Sequence, residues 1–188
     1  MNNFLSGRVS IIVGDIARQE TDGIVNAANS TLLGGGGVDG VIHRAGGAQI
    51  LEECRVIRNK RYPKGLPTGE AVITTGGMLP ARFVIHTVGP IWGQHAGHEA
   101  ELLAACYSNS LALACEHKLA SIAFPAISTG AYGYPPHEAA RVASRAIRKF
   151  LSPEGGGMAG RHAKLEEVRL VFFSESDSHM FLRHHKFE

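Results

Sequence analysis

The chain has 188 residues, enough for one domain with a full hydrophobic core and too few for two of ordinary size. Its 19 Lys and Arg against 17 Asp and Glu leave a formal charge of +2, too small to imply nucleic-acid binding by bulk electrostatics alone, so any anionic ligand must be gripped locally. Three cysteines without a C-x-x-C pair argue against a disulfide framework or a cysteine zinc site; with no charged, apolar leader and no apolar run near the ~20 residues of a membrane span, the chain is expected to be soluble and cytoplasmic.

The first strand pattern, residues 9–13, runs into Gly14-Asp15-Ile16, where an Asp serves as a turn or N-cap residue or accepts a hydrogen bond from an exocyclic amine such as that of adenine. A second apolar strand, 23–28, leads through Asn29 into Gly34-Gly35-Gly36-Gly37 and then Val38-Asp39. Successive glycines can turn their N–H groups toward one point, which makes an anion cradle. Asn29 and Asp39 stand at its two ends as a neutral hydrogen-bonding group and a potential base. A helical pattern covers 38–54, and the basic run 58–64 reads as a solvated loop.

Strands follow at 71–74 and 83–88, then a helix at 99–117 with three- and four-residue apolar spacing. The strand at 121–125 opens into a second loop, Ala126-Ile127-Ser128-Thr129-Gly130-Ala131-Tyr132, before a helix at 136–151. Ser128 and Thr129 offer hydroxyls, Gly130 lets backbone approach a phosphate, and the helix start lends its dipole. Two such loops in one small domain suit a diphosphate. The glycine cluster at 152–160 reads as a flexible connector to a last strand, 168–173, and a helix at 176–185. Phe173, at that strand's end, is by default a core residue, although an aromatic ring on such a rim can also stack on a base. Most strands are apolar on both faces and alternate with helices, which predicts a single-domain, three-layer α/β/α sandwich with ligands beyond the carboxyl ends of the strands.

Three other readings fit poorly. Residues 35–40 satisfy G-x-G-x-x-G, but residues intervene after the strand and no acidic residue occurs in 54–69 to hold a ribose. The Walker pattern fails for want of G-K-[ST]. Ser128 lies in an A-x-S-x-G elbow followed by Asp177 and His179, yet those two are only two residues apart at a helix start, too close to orient one another. His43 shares a helical face with Asp39 and lacks a further metal ligand at suitable spacing, so it is expected to support the loop by hydrogen bonding.

Taken in order, Gly14-Asp15-Ile16, Ile24-Val25-Asn26-Ala27-Ala28-Asn29, the 34–40 loop, Val84-Ile85-His86-Thr87-Val88-Gly89-Pro90 and the 124–135 loop resemble the macrodomain family, most closely its MacroD type, over nearly the whole chain. The resemblance implies a central mixed sheet and a site for ADP-ribose. It also implies hydrolysis of ester-linked ADP-ribose, with O-acetyl-ADP-ribose and proteins mono-ADP-ribosylated on acidic side chains as substrates. Carried over, Asp15 and the Ile16 backbone hold adenine with Phe173 against it, and Ser128, Thr129, Gly130, Ala131 and Tyr132 wrap the phosphates, Tyr132 lying beside the distal ribose. Asn29 fixes that ribose, Gly37, Val38 and Asp39 close over the diphosphate, and Asp39 is the proton acceptor, favoured as a carboxylate by its helix-start position. No metal or cofactor is implied, and a monomer is expected. A non-cleaving ADP-ribose reader and a regulatory protein- or RNA-binding module are the alternatives.

Overall fold

The computed structural model describes residues 2–152 and 165–187. The connector expected at 152–160 lies, Ser152 apart, outside the described residues. Seven strands are present: β1 (Asn2–Phe4), β2 (Val9–Val13), β3 (Gly23–Ala28), β4 (Ala71–Thr75), β5 (Phe83–Val88), β6 (Ser121–Phe124) and β7 (Glu167–Phe172). The helices are α1 (Gly37–Gly46), α2 (Ala48–Arg61), α3 (Glu99–Glu116), α4 (Pro136–Leu151) and α5 (Glu175–His184), with a short 3-10 turn at Ile16–Arg18.

The strands form one sheet in the order β1-β2-β7-β6-β3-β5-β4. β1 and β4 run antiparallel to β2 and β5 at the two edges, and the inner pairs are parallel. The sheet is therefore mixed and, with helices on both faces, makes the three-layer sandwich. Strand alternation sorts the side chains into two cores. Val25, Ile85 and Ile122 face α3 and α4, whose buried residues Leu103, Cys106, Leu111, Ala143 and Ile147 recur at helical spacing. Ile24, Ala28, Val72 and Val84 face the other way, against Ile42, Ile50 and Cys54 of α1 and α2. All three cysteines are free and buried, and no described helix is long and apolar enough to cross a membrane.

Several boundaries differ from the sequence reading. The helix expected over 38–54 is two helices, because Gly47 takes a φ of +79° and turns the chain between α1 and α2. The basic run 58–64 is not a loop throughout: Arg58 to Arg61 form the last turn of α2, where basic side chains complement the negative end of the helix dipole, and Arg58 donates to the carbonyls of Tyr62 and Pro63. β1 carried no apolar signal. The strand at 168–173 ends at Phe172, which is buried, while Phe173 is 91% exposed and so is not a core residue.

Because β2, β3, β6 and β7 are parallel neighbours, their carboxyl ends lie along one edge of the sheet. The segments that follow, Gly14-Asp15, Asn29, Pro125 and Phe173, open at that edge.

Candidate functional site

A cavity of about 610 Å³ occupies that edge. Asp15 and Ile16 after β2, Gly37 and Val38 at the start of α1, Thr129 and Gly130 after β6, and Phe173 after β7 all line it. Seven of the residues selected from sequence therefore meet around one space. Asn29, Asp39, Ser128, Ala131 and Tyr132 are not in its wall and adjoin the two loops.

Asp15 caps the 3-10 turn: its Oδ1 accepts from the Ala17 N–H at 2.9 Å. Oδ2 has only the Arg18 guanidinium, at 3.8 Å, as a loose partner, and stays free to accept from a ligand. The N-termini of α1 and α4 both lack a side-chain cap; at α1 the first N–H groups face the glycine loop, whereas α4 opens with Pro136, which has no N–H, and its Glu138 N–H already donates to the Pro135 carbonyl. Ser128 is held at φ +67°, a costly conformation for a non-glycine residue, and its buried Oγ has no partner. Only a glycine fits at 89, since a Cβ there would collide with that hydroxyl. Thr129 is committed otherwise than expected, its hydroxyl donating to the Ala126 carbonyl at 3.0 Å. The Tyr132 carbonyl accepts from the Trp92 N–H at 2.9 Å, and the Trp92 ring meets Tyr134 edge-on. Burial, and then the charge of Asp39, push the Tyr132 phenol up, so the two loops are in electrostatic reach of each other.

Asp39 sits in the first turn of α1 and is 3% exposed. Its Oδ1 accepts from Asn26 Nδ2 at 2.7 Å, and its Oδ2 accepts from Asn29 Nδ2 at 3.4 Å. The two ends of the glycine loop are thus joined directly. Asn29 also donates to the Gly34 carbonyl, and its Oδ1 accepts from the backbone and hydroxyl of Thr31, so it shapes the loop as well. A Cβ on Gly35 would lie 3.0 Å from Asn29 Nδ2 and 3.1 Å from Asp39 Oδ2; glycine leaves that approach open.

Beneath Asp39 runs a polar line that the sequence reading missed. Asn26, His86 and Thr74 fall on the α1 and α2 face of β3, β5 and β4, and Asn26 is the register partner of His86. The second N–H of Asn26 reaches His86 Nδ1 at 3.1 Å, and His86 Nε2 lies 2.9 Å from Thr74 Oγ1. Since Asn26 donates and Thr74 Oγ1 donates onward to the Thr75 carbonyl, the network assigns His86 the Nε2–H tautomer. Burial, aided by His43 and opposed by Asp39, pushes the His86 imidazole down to about 3. It is neutral in the folded protein near pH 7. The signal was a polar residue at the centre of each of two apolar strands, but only pairing shows that they meet.

His43 Nε2 lies 3.4 Å from Asp39 Oδ1. The structure also supplies the further metal-type groups that helical spacing did not reveal: one ligand atom from each of His43, Cys54 and His86 lies within 4.8 Å of the others. A cation there would have to displace the Cys54 proton, which burial, Asp39 and Glu53 hold up to about 12, and break the His86–Thr74 bond.

The architecture defines an α/β/α domain whose strand ends present a nucleotide-sized cleft with uncapped helix N-termini and a buried carboxylate behind a glycine loop. The Macro domain family model matches residues 25–143, and the chain belongs to that family. A Macro domain-containing protein of Caldanaerobacter subterraneus is 51% identical over 174 residues, 93% of each chain. The O-acetyl-ADP-ribose deacetylase of Escherichia fergusonii is 47% identical over 179 residues, covering 95% of this chain and 96% of its own. Among solved structures, the Oceanobacillus iheyensis macrodomain with ADP superposes with a TM-score of 0.87 at 48% identity, over 97% of this chain and 92% of that one. The Trypanosoma brucei macrodomain in complex with ADP-ribose gives 0.80 at 39%, over 94% and 68%.

Proposed function

We propose that the protein hydrolyses ester-linked ADP-ribose, deacetylating O-acetyl-ADP-ribose and releasing mono-ADP-ribose from acidic side chains of proteins. The observation that carries this reading is Asp39: a carboxylate buried behind a phosphate-type loop, oriented by the amides of Asn26 and Asn29 and reached past Gly35. A loop that only bound a diphosphate would gain nothing from a second negative charge at its base. The deacetylase name of the Escherichia relative, and ADP and ADP-ribose in the related structures, support the choice of substrate.

In this reading the adenosine lies between Asp15, Ile16 and Phe173, the diphosphate between Gly37-Val38 and the 128–132 loop, and the distal ribose beside Asn29 and Tyr132. Asp39 accepts a proton from water as that water's oxygen bonds to the acyl carbon. The acyl–oxygen bond of the ester then breaks, and the departing ribose oxygen takes the proton from Asp39. The products are a carboxylic acid and a free ribose hydroxyl. His86, fixed neutral, keeps both Asn26 N–H groups assigned, so that one always points at Asp39.

Acetate release from O-acetyl-ADP-ribose, and ADP-ribose release from glutamate-modified protein, test the reading. Asp39→Ala is expected to lower turnover by about 10²–10⁴-fold, the usual worth of a general base, while calorimetry still detects ADP-ribose binding. Unchanged turnover in the variant would remove Asp39 from the chemistry. A wild-type protein that binds ADP-ribose and releases no acid from either substrate would be a reader instead.

A further inference from the structure

Arg44 is the only lysine, arginine or histidine among the described residues in the wall of the main cavity, whose other charged wall residues are Asp15 and Asp177. Asp15 Oδ1 accepts from Ala17, its Oδ2 keeps only the loose contact with Arg18, and Asp177 accepts from Ser174. Arg44 is exposed, and no described residue offers it a hydrogen bond or an ion pair. An arginine at the lip of a concave site with no protein partner is a charge kept available.

Its direction is set by the helix. Side chains on α1 lean toward its N-terminus, so Arg44 covers the turn that holds Gly40 and Gly37. Arg44 Nη1 lies 2.9 Å from where a Cβ on Gly40 would stand, and the Gly35 carbonyl also crowds that point. The missing Cβ at 40 chiefly clears the Gly35 carbonyl, and it leaves the guanidinium room over the first turn, next to the glycine loop and the uncapped N–H groups of α1. Without Arg44 the cavity wall would present two acids to a doubly negative ligand.

We propose that Arg44 is a specificity-determining residue for the diphosphate of the ligand: its guanidinium contacts the phosphate oxygens from the α1 side, across from the 128–132 loop, and raises affinity for phosphate-bearing over phosphate-free adenosine compounds. The inference rests on the reading of the cavity as an ADP-ribose site. Charge-assisted bonds to phosphate are strong and, at an open lip, weakened by salt.

Calorimetric titration of wild type, Arg44→Ala and Arg44→Lys with ADP-ribose and with adenosine, each at low and high salt, tests it, with thermal melting to verify the fold of this exposed site. Arg44→Ala is expected to bind ADP-ribose about tenfold more weakly, to bind adenosine as wild type does, and to show a shallower salt dependence; Arg44→Lys restores part of the loss. Equal ADP-ribose affinity in wild type and Arg44→Ala would overturn the inference while leaving the ADP-ribose site standing, as would an equal loss for adenosine. A wild type that binds no ADP-ribose would overturn the reading of the cavity, and the role of Arg44 with it.

Discussion

Acid should destabilise this protein through His86, and His86→Asn isolates the effect. The imidazole is fully buried and held down to about 3, whereas its ordinary value is 6.5. Between those two values the unfolded chain binds a proton that the folded chain refuses, so stability rises with pH across the window. The contribution is complete above pH 6.5 and is lost as pH falls toward 3. Well inside the window each pH unit is worth about 1.4 kcal/mol, so moving from pH 6.5 to pH 4.5 should cost about 2 kcal/mol through this residue alone. In His86→Asn the amide oxygen replaces Nδ1 as acceptor for Asn26, and nothing titrates. The variant is less stable at pH 7, since the contact with Thr74 is lost. Urea unfolding of both proteins at about pH 7, 6, 5.5 and 4.5, across the upper part of the His86 window, gives the two pH–stability curves, with equal m-values as the check that both transitions are alike. The wild-type curve must fall more steeply. Parallel curves would refute a neutral, proton-refusing His86 and with it the assigned tautomer.

Two further outcomes follow from side-chain environments. Phe173→Ala should weaken ADP-ribose binding by about 0.5–1.5 kcal/mol in a calorimetric titration and leave the melting temperature unchanged, because the ring is 91% exposed; a drop in Tm would place the ring in the fold instead. Gly76→Ala should lower stability by about 2 kcal/mol or more in thermal unfolding, because a Cβ there collides with the Ala81 carbonyl in the turn between β4 and β5; an unchanged melt would mean that this turn yields freely.

The layers were legible because burial on both faces makes β3 and β5 read as largely apolar runs, interrupted at Asn26 and at His86-Thr87, and because α3 and α4 repeat their apolar positions every three or four residues. The break at Gly47 was not: apolar spacing continues through 38–54, and a single positive φ redirects a helix without disturbing that count. Phe172 and Phe173 are adjacent aromatics, and only the observed strand end decides which one turns inward. At the site, Asp39 and Asn29 stood out as polar residues flanking glycines. Asn26, His86 and Thr74 did not, since their meaning lies in cross-strand pairing, which a linear reading cannot see. Arg44 was hidden for a different reason, its relation to Gly40 being a matter of helical direction rather than of any motif.

The three buried cysteines give the chain an internal clock. Cys54 lies under α2 on one side of the sheet, and Cys106 and Cys115 belong to α3 on the other. Burial pushes Cys54 up to about 12 and Cys106 up to about 11, and it raises Cys115 as well. A thiol in that state does not meet an alkylating reagent until its layer has opened, so labelling reports the opening itself. With one probe beneath the layer that carries Asp39 and two beneath the opposite layer, the order of modification measures whether the Asp39 side of the sheet comes loose before the side covered by α3 and α4.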